Sequence, residues 1–295
     1  MNKKNLRMME EINYIKKKYK FETSKKFGQN FIINTDVIEG IVSKADISNS
    51  IVIEIGPGIG TLTARLAEEA RHVIAIELDE RLIPILRDRF SNYTNVEIIH
   101  GDILEVDLDT ICEKAKERYK DCQVKIIGNL PYYITTPIIL KLLKREVPVE
   151  SIIIMIQKEV AERIIAEPGS SKCGAITYLV HYYSIPSFVL DVTKDSFYPK
   201  PKVDSMVIEL SFRKGKAVNI EDEKLFFRVI KAGFMHRRKT LLNALQSMGD
   251  YSKEEIRKAL SDSGIEEKRR AETLSLQEFS NLATKLVREK NNEGF

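Results

Sequence analysis

The sequence has few cysteines and histidines, and these few are scattered along its 295 residues. The three cysteines form no C-x-x-C pair, which argues against a disulfide framework and a structural zinc site. The four histidines do not cluster either, so we expect no bound metal. No apolar run reaches the ~18 residues that a membrane-spanning helix needs. The first residues lack the apolar stretch of a signal peptide. We therefore expect a cytoplasmic protein that has no membrane partner.

Charge is present in abundance but is unevenly distributed. The chain is 31% charged and 43% hydrophobic, which is typical of a globular protein of about two domains. Residues 1–30 hold nine lysines and arginines against three glutamates, and residues 213–295 hold eighteen against thirteen acidic residues. The intervening residues carry a net charge of −7. Two basic ends fit a protein that contacts a polyanion, although ordinary solvated lysines would give the same pattern.

Short β-branched segments alternate with helical patterns between residues 51 and 157. This alternation predicts an α/β fold with an open, mostly parallel, doubly wound sheet, in which ligands bind at the carboxyl ends of the strands. After a helix over 158–168, residues 173–185, 187–193 and 205–212 resemble late strands or hairpin partners. From about residue 213 the pattern becomes helical and charged. The five predicted strands of the alternating region are 51–55, 72–78, 96–102, 124–129 and 151–157.

A glycine-rich loop follows the first predicted strand. In EIGPGIG (54–60), Gly56, Gly58 and Gly60 alternate with other residues directly before a helix, so the backbone can approach a ligand closely. The spacing differs from the dinucleotide pattern G-x-G-x-x-G, because Thr61 stands three residues after Gly58. Glu54 immediately precedes the loop.

Polar residues end the next three strands in order. Glu77 can accept hydrogen bonds from both ribose hydroxyls, and Asp102 can accept one from an adenine amine. Asn129 ends the fourth strand. Together with the glycine-rich loop these residues indicate an adenosine-containing ligand, and their order resembles the class I S-adenosylmethionine-dependent methyltransferases, which have a Rossmann-like fold. A nicotinamide dinucleotide is the rival ligand, and the missing third glycine argues against it.

The segment N-L-P-Y (129–132) resembles the motif of methyltransferases that act on adenine N6. An aromatic amine is a weak nucleophile because its lone pair is delocalised into the ring. Asn129 Oδ1 and the Leu130 carbonyl could hold its hydrogens, with Pro131 fixing the backbone and Tyr132 stacking on the base. We expect Tyr133 to pack behind this corner. The target base must be unpaired or flipped out of a helix.

With NLPYYITTPI (129–138), the chain resembles the ribosomal RNA adenine N6,N6-dimethyltransferase family along nearly its whole length. The likeness also includes KKFGQNFI (25–32), QKEVAERI (157–164), FYPKPKVDS (197–205) and FMHRRKTLLNAL (234–245). It implies methyl transfer from S-adenosylmethionine to N6 of two adjacent adenosines near the 3′ end of small-subunit (16S) ribosomal RNA. Two alternatives stay open: a large-subunit adenine methyltransferase that confers antibiotic resistance, and a non-catalytic binder of the assembling small subunit. Pro57 and Leu130 favour the small-subunit branch.

The resemblance also implies roles for residues that carry no signal of their own. Phe197 would stack on the other face of the base, although a core aromatic at a strand end fits equally well. The first 20 residues could be a basic RNA-touching arm or a disordered tail, and we favour the tail. The role of the loop around Cys173 is not predicted. The added cofactor contacts are Gln29, Asn30, Ile32, Leu78 and Ile103, and the RNA contacts are Lys25, Lys26, Arg237, Arg238 and Lys239.

The domain division that follows from the pattern and the resemblance has three parts. Residues 1–20 form a basic extension, residues 21–212 a methyltransferase domain, and residues 213–295 a helical C-terminal domain. Nothing in the sequence demands more than a monomer. The small ribosomal subunit, with its 16S RNA, is the expected partner.

Overall fold

The computed structural model describes residues 3–24, 28–144, 149–236 and 238–292. The chain folds into two compact units. The first comprises Met1–Ala161 with Ser187–Phe212, and the second comprises Glu162–Pro186 with Arg213–Phe295. The second unit thus includes residues 162–186 as well as those that follow the boundary drawn from the sequence. No described helix is long and apolar enough to cross a membrane.

A seven-stranded sheet organises the first unit, in the order β4-β3-β2-β5-β6-β9-β7. The first five strands of this order run parallel, and β9 pairs antiparallel with β6. The chain steps from β2 to β3 and β4 on one side, and then returns to β5 and β6 on the other. This reversal is the topological switch point at which α/β sheets bind ligands. The strands are β2 Ser50–Ile55, β3 His72–Glu77, β4 Val96–His100, β5 Gln123–Asn129, β6 Ser151–Gln157, β7 Ser184–Val192 and β9 Ser205–Phe212.

The expected α/β sheet is confirmed. The central strands β2 and β3 are buried along their whole length, which is why their sequences are continuous apolar runs rather than alternating ones. Buried side chains of α2 and α3 pack with those of the strands in one core cluster. The helices of the alternating region are α2 Thr35–Ala45, α3 Thr61–Glu69, α4 Ile83–Arg89, α5 Leu108–Arg118, α6 Thr135–Leu143 and α7 Lys158–Ile165.

A separate two-stranded ribbon lies beside the sheet's ligand-binding edge. Its strands are β1 Phe31–Ile32 and β8 Phe197–Tyr198, which pair antiparallel, with Ile32 opposite Phe197. The ribbon joins the segment after Gly28 to the loop that precedes β9. Two sequence motifs that lie more than 160 residues apart therefore meet in one place.

The expectation of a disordered N-terminal tail is wrong. Residues Lys3–Tyr19 form helix α1, and Ile12 and Ile15 on this helix are buried in a cluster with Ile59, Leu86 and Phe90. The apolar residues of α1 recur at helical spacing, so one face of the helix is apolar and packs against this cluster. The basic residues of α1 occupy the remaining positions. Their number is the reason that the sequence of this segment resembles a disordered tail.

The second unit is helical, and it corrects one further expectation. Residues predicted as a late strand within 173–185 instead form helix α8, Ala175–Tyr183. Tyr178 and Tyr182, four residues apart, share a face that is fully buried among the C-terminal helices, so tertiary packing outweighs the β propensity of the segment. Cys173 is buried in the same cluster, with Sγ 3.5 Å from the Tyr178 hydroxyl. The other helices are α9 Glu223–Met235, α10 Leu241–Leu245, α11 Lys253–Asp262 and α12 Leu276–Asn292.

Candidate active site

A cavity in the first unit opens at the carboxyl ends of β2, β3, β4 and β5. Every residue expected to contact the cofactor contributes to its wall, as do the four residues of the N-L-P-Y corner. The sheet brings these residues together because parallel strands end at the same edge. The expected cofactor contacts that line the cavity are Gln29, Asn30, Ile32, Glu54, Gly56, Gly58, Glu77, Leu78, Asp102, Ile103 and Asn129.

Two glycines of the glycine-rich loop are required both by their backbone conformation and by the lack of room for a side chain. Gly58 and Gly60 have φ values of 61° and 85°, in the left-handed region that side chains disfavour. A Cβ at Gly58 would lie 2.9 Å from the ring of Phe31, and one at Gly60 would lie 2.6 Å from Phe90. The loop is therefore pressed between the ribbon and α4, and helix α3 begins directly after it at Thr61.

Glu77 is held by two backbone donors. Its Oε2 accepts a hydrogen bond from Gly58 N at 3.0 Å, and its Oε1 accepts one from Asp79 N at 2.8 Å. Burial raises the pKa of this carboxyl to about 7, despite the two backbone donors that favour the charged form. Each carboxylate oxygen has a second lone pair, so the group can still accept from a pair of ribose hydroxyls.

Glu54 is a buried carboxyl that lacks a full set of partners. The residue is 1% exposed, and no described residue hydrogen-bonds its Oε2. Burial raises its pKa to about 8. An uncompensated acidic group in a cavity wall is costly to ionise and is well placed to receive a cationic ligand.

The adenine end of the cavity combines one carboxylate with two apolar side chains. Asp102 follows β4, and its Oδ1 accepts a hydrogen bond from Leu104 N at 2.8 Å, which fixes the turn. Leu78 is 38% exposed and Ile103 is buried, and both line the cavity. Apolar walls with one acceptor at the edge suit a flat ring that bears an exocyclic amine.

Asn129, at the end of β5, is oriented by a hydrogen bond of its side-chain amide. Its Nδ2 donates to the backbone carbonyl of Asn30 at 2.9 Å. Because the nitrogen is committed to the protein, Oδ1 on the other side of the amide is defined as an acceptor. The half-buried side chain therefore presents the group that the amine-holding role requires.

The rest of the corner forms a tight strand-to-helix turn. Leu130 N donates to Met155 O at 3.1 Å, which extends the pairing with β6 by one residue. The Pro131 carbonyl accepts from Ile134 N and from Thr135 Oγ1, at 3.2 and 3.1 Å. These bonds start α6 and use the Pro131 acceptor, and the role of the Leu130 carbonyl as an acceptor for the amine stays a prediction.

The loop of residues 197–205 reaches the corner through Ser205, which the sequence did not single out. Ser205 Oγ lies 2.6 Å from the hydroxyl of Tyr132, and this serine is fully buried at the start of β9. Phe197, expected to stack on the base, is 3% exposed and packs in the core with Ile32. Its stacking role stays a prediction, and it would require the ring to leave this packing.

The placement expected for Tyr133 is wrong. Its side chain is 58% exposed and lines the mouth of the cavity instead of packing behind the corner. A Cβ at Gly28 would lie 3.4 Å from its ring, so Tyr133 faces the segment that carries Gln29 and Asn30. A second tyrosine at the start of a helix gave no sequence signal of its orientation.

The expected RNA contacts are only partly described. Lys25, Lys26 and Arg237 lie outside the described residues. Arg238 and Lys239 are exposed in the second unit, directly after α9. Their contact with RNA stays a prediction. Among the described residues, no group of three or more histidines, cysteines, aspartates or glutamates could hold a metal ion.

The cavity fits S-adenosylmethionine. This cofactor is cationic at its sulfonium and amino groups, and the buried Glu54 in the wall has a carboxyl oxygen without a partner among the described residues. Glu77 and Asp102 in the same wall can accept hydrogen bonds from its ribose and adenine. The fold and the site define a class I S-adenosylmethionine-dependent methyltransferase. Residues 20–287 match the family model described as ribosomal RNA adenine dimethylase, and the chain belongs to that family.

Similar proteins agree with this assignment over nearly the full chain. The chain is 47% identical to a ribosomal RNA small subunit methyltransferase A of Clostridium acetobutylicum, over 95% of this chain and 100% of that one. It is 46% identical to the protein of the same name from Bacillus licheniformis, over 91% and 93%. A dimethyladenosine transferase from Plasmodium falciparum has a similar structure, with a TM-score of 0.69 and 26% identity over 89% of this chain and 98% of that one. The 23S rRNA methyltransferase ErmE shares the fold, with a TM-score of 0.64 and 24% identity over 88% and 100%.

Proposed function

We propose that the protein transfers methyl groups from S-adenosylmethionine to N6 of two adjacent adenosines near the 3′ end of small-subunit ribosomal RNA, giving N6,N6-dimethyladenosine. The hydrogen bond between Asn129 and the Asn30 carbonyl carries the proposal. This bond leaves Asn129 Oδ1 available as an acceptor for an amine, at the edge of a cavity that suits an adenosine-containing cofactor.

The chemistry asks the protein mainly to position two partners in line. When bound, S-adenosylmethionine supplies a methyl group that is already activated by its sulfonium. Asn129 Oδ1 and the Leu130 carbonyl accept the two hydrogens of the adenine amine, which favours a tetrahedral nitrogen with its lone pair free to attack. Asn129 and Leu130 would thus hold this nitrogen to receive the methyl group, which the sulfonium would release to leave a neutral thioether. The surplus proton on nitrogen then passes to water.

The second methylation uses the same corner, although the adenine amine then has one N–H donor fewer. After the first transfer the amine keeps one hydrogen, so one of the two acceptors suffices to hold it. The half-exposed Tyr132 ring, fixed through Ser205, would keep the base stacked while it receives both methyl groups. A rigid stacking residue fits a product that grows between the two steps.

The choice of small-subunit RNA rests on the relatives. Proteins named ribosomal RNA small subunit methyltransferase A are 46–47% identical to this chain across more than 90% of it. Pro57 in the glycine-rich loop and Leu130 in the corner support the same branch. The intact corner argues against a non-catalytic binder, and a large-subunit target is not favoured.

The remaining parts of the proposal concern how RNA is held and where the protein works. We propose that Arg238 and Lys239 contact phosphates, which would position RNA without reading its sequence. We propose the same role for Lys25, Lys26 and Arg237. We further propose that the protein acts as a monomer in the cytoplasm, where ribosomal subunits assemble.

The test supplies unmethylated small subunits, large subunits and naked RNAs with a cofactor labelled in its methyl group. We expect label in dimethyladenosine of small-subunit RNA. Label confined to large-subunit RNA would contradict the proposal. Tight binding to small subunits without any label would support the non-catalytic alternative instead.

A further inference from the structure

Asp79 is a buried carboxylate that connects two walls of the cavity. It is 1% exposed and follows the strand that ends in Glu77. Its Oδ2 accepts a hydrogen bond from Gln29 Nε2 at 2.7 Å, and Arg81 pairs with it through Nε and Nη2 at 2.8 and 2.6 Å. Its own backbone N donates to Glu77 Oε1. The residue therefore contacts both the carboxylate expected to bind ribose and the segment on the far side of the cavity.

Gln29 links Asp79 to the segment that holds Asn129. Both ends of its side-chain amide have protein partners, because Oε1 accepts from Ser24 N at 2.8 Å while Nε2 is held by Asp79. The next residue, Asn30, offers its backbone carbonyl to Asn129. Asn30 Nδ2 in turn donates to Gly28 O at 3.1 Å, which closes the segment on itself. An unbroken path of neighbouring contacts thus runs from Asp79 to the amide of Asn129.

We propose that Asp79 is a positioning residue that, through Gln29, fixes the segment Gly28–Asn30 and thereby sets the orientation of the Asn129 amide. The inference rests on the proposed function, since it concerns the geometry of the same reaction. It also changes the part assigned to Gln29. This side chain lines the cavity, yet its amide serves the protein rather than the ligand.

A purely local role for Asp79 is the alternative. Its Oδ1 accepts from Arg81 N at 3.1 Å and its carbonyl from Leu82 N at 2.9 Å, which by themselves would only stabilise the turn before α4. Such a turn would not need a carboxylate bonded to Gln29, 50 residues earlier in the chain. The two roles differ in what Asp79→Asn disturbs: residues 79–83 alone, or residues 28–30 as well.

Hydrogen exchange of the free protein distinguishes these roles without any cofactor. We expect Asp79→Asn to speed amide exchange in residues 28–30 by about tenfold, because a hydrogen bond to a charged group is lost. Asp88→Asn is the matched control, since this exposed aspartate bonds Lys18 and Tyr19 on α1 instead. It should leave residues 28–30 unchanged. Faster exchange confined to residues 79–83 would overturn the proposal.

Kinetics of methyl transfer test the path itself. In a single turnover on small subunits, Asp79→Asn should slow the reaction by about tenfold in the wild-type background. In a Gln29→Ala background it should cause no further slowing, because the link is already broken. Equal slowing in both backgrounds would show that Asp79 acts by another route. An Asp79→Asn protein that does not fold leaves Gln29→Ala alone as the test, and unchanged exchange at residues 28–30 would then overturn the proposal.

These outcomes are separable from failure of the proposed function. If wild-type protein transfers no methyl group to small subunits, the function is wrong, whereas the exchange experiment still decides whether Asp79 fixes residues 28–30. Binding of S-adenosylhomocysteine, measured by calorimetry, gives a further readout. We expect Asp79→Asn to weaken it by less than about tenfold, since the direct contacts of the ligand remain.

Discussion

The hydroxyl of Tyr132 lies 2.6 Å from Ser205 Oγ, and this bond ties the catalytic corner to the loop that leads into β9. The loop therefore contacts the ring proposed to stack on the base through its last residue, while its first residue, Phe197, lies in the core. Burial raises the pKa of the Tyr132 hydroxyl, so the group stays protonated at physiological pH and can either donate or accept in this bond.

Tyr132→Phe should reduce methyl transfer only a few fold, because the ring is kept and one hydrogen bond is lost. Tyr132→Ala should reduce it by roughly 10- to 100-fold, since stacking on a base contributes about 1–3 kcal/mol. Single-turnover rates on small subunits measure both. Ser205→Ala is the matched variant and should resemble Tyr132→Phe, with no further loss when the two are combined. A loss from Tyr132→Phe as large as that from Tyr132→Ala would refute a role based on stacking.

Asn129→Ala should lower the rate of methyl transfer by roughly 100- to 1000-fold, the usual effect of removing one group that stabilises the reacting centre. The fold should survive, because the side chain makes only one hydrogen bond to the residues that the structure describes. Circular dichroism checks the fold, and a radiolabel assay checks the rate. Activity close to that of the wild type would contradict the account of the corner.

Glu54→Gln should stabilise the free protein increasingly as pH rises from about 5 to 8. Burial raises the pKa of Glu54 to about 8 in the folded state, against an ordinary value of 4.5. Stability from a raised pKa is present below the unfolded value and is lost as pH rises through the folded value, and glutamine never has to lose a proton. Thermal unfolding of both proteins across this range measures the effect. A difference between them that does not change with pH would contradict it.

Ile12→Ala should destabilise the first unit by about 2–5 kcal/mol, since the side chain is fully buried between α1 and its core cluster. Tyr14→Ala is the control on the same helix. Its ring is 62% exposed, so we expect a change within about 0.5 kcal/mol. Urea unfolding compares the two. Equal midpoints for both variants would mean that α1 is not docked in solution.

The sequence was sufficient for the sheet and for most of the cavity wall. The parallel strands have continuous apolar runs, and their ends carry the glycines, Glu77, Asp102 and Asn129 in a fixed order. Because strand ends converge in this fold, order along the chain becomes proximity in space. No comparable rule exists for the residues that were missed.

Asp79 and Ser205 show what a single sequence does not contain. An aspartate two residues after a strand resembles any surface turn, and only the approach of Gln29 from a distant segment gives it a role. Ser205 likewise needs Tyr132, which lies in the turn between β5 and α6. The orientation of Tyr133 and the helix at Ala175–Tyr183 depend in the same way on contacts made after folding.

The most direct test of the central claim is nucleoside mass spectrometry of small-subunit RNA after incubation with the protein and S-adenosylmethionine. The account predicts N6,N6-dimethyladenosine at two adjacent positions near the 3′ end, and its disappearance with Asn129→Ala. Unmodified small-subunit RNA, or methylated adenosine found only in large-subunit RNA, would contradict it.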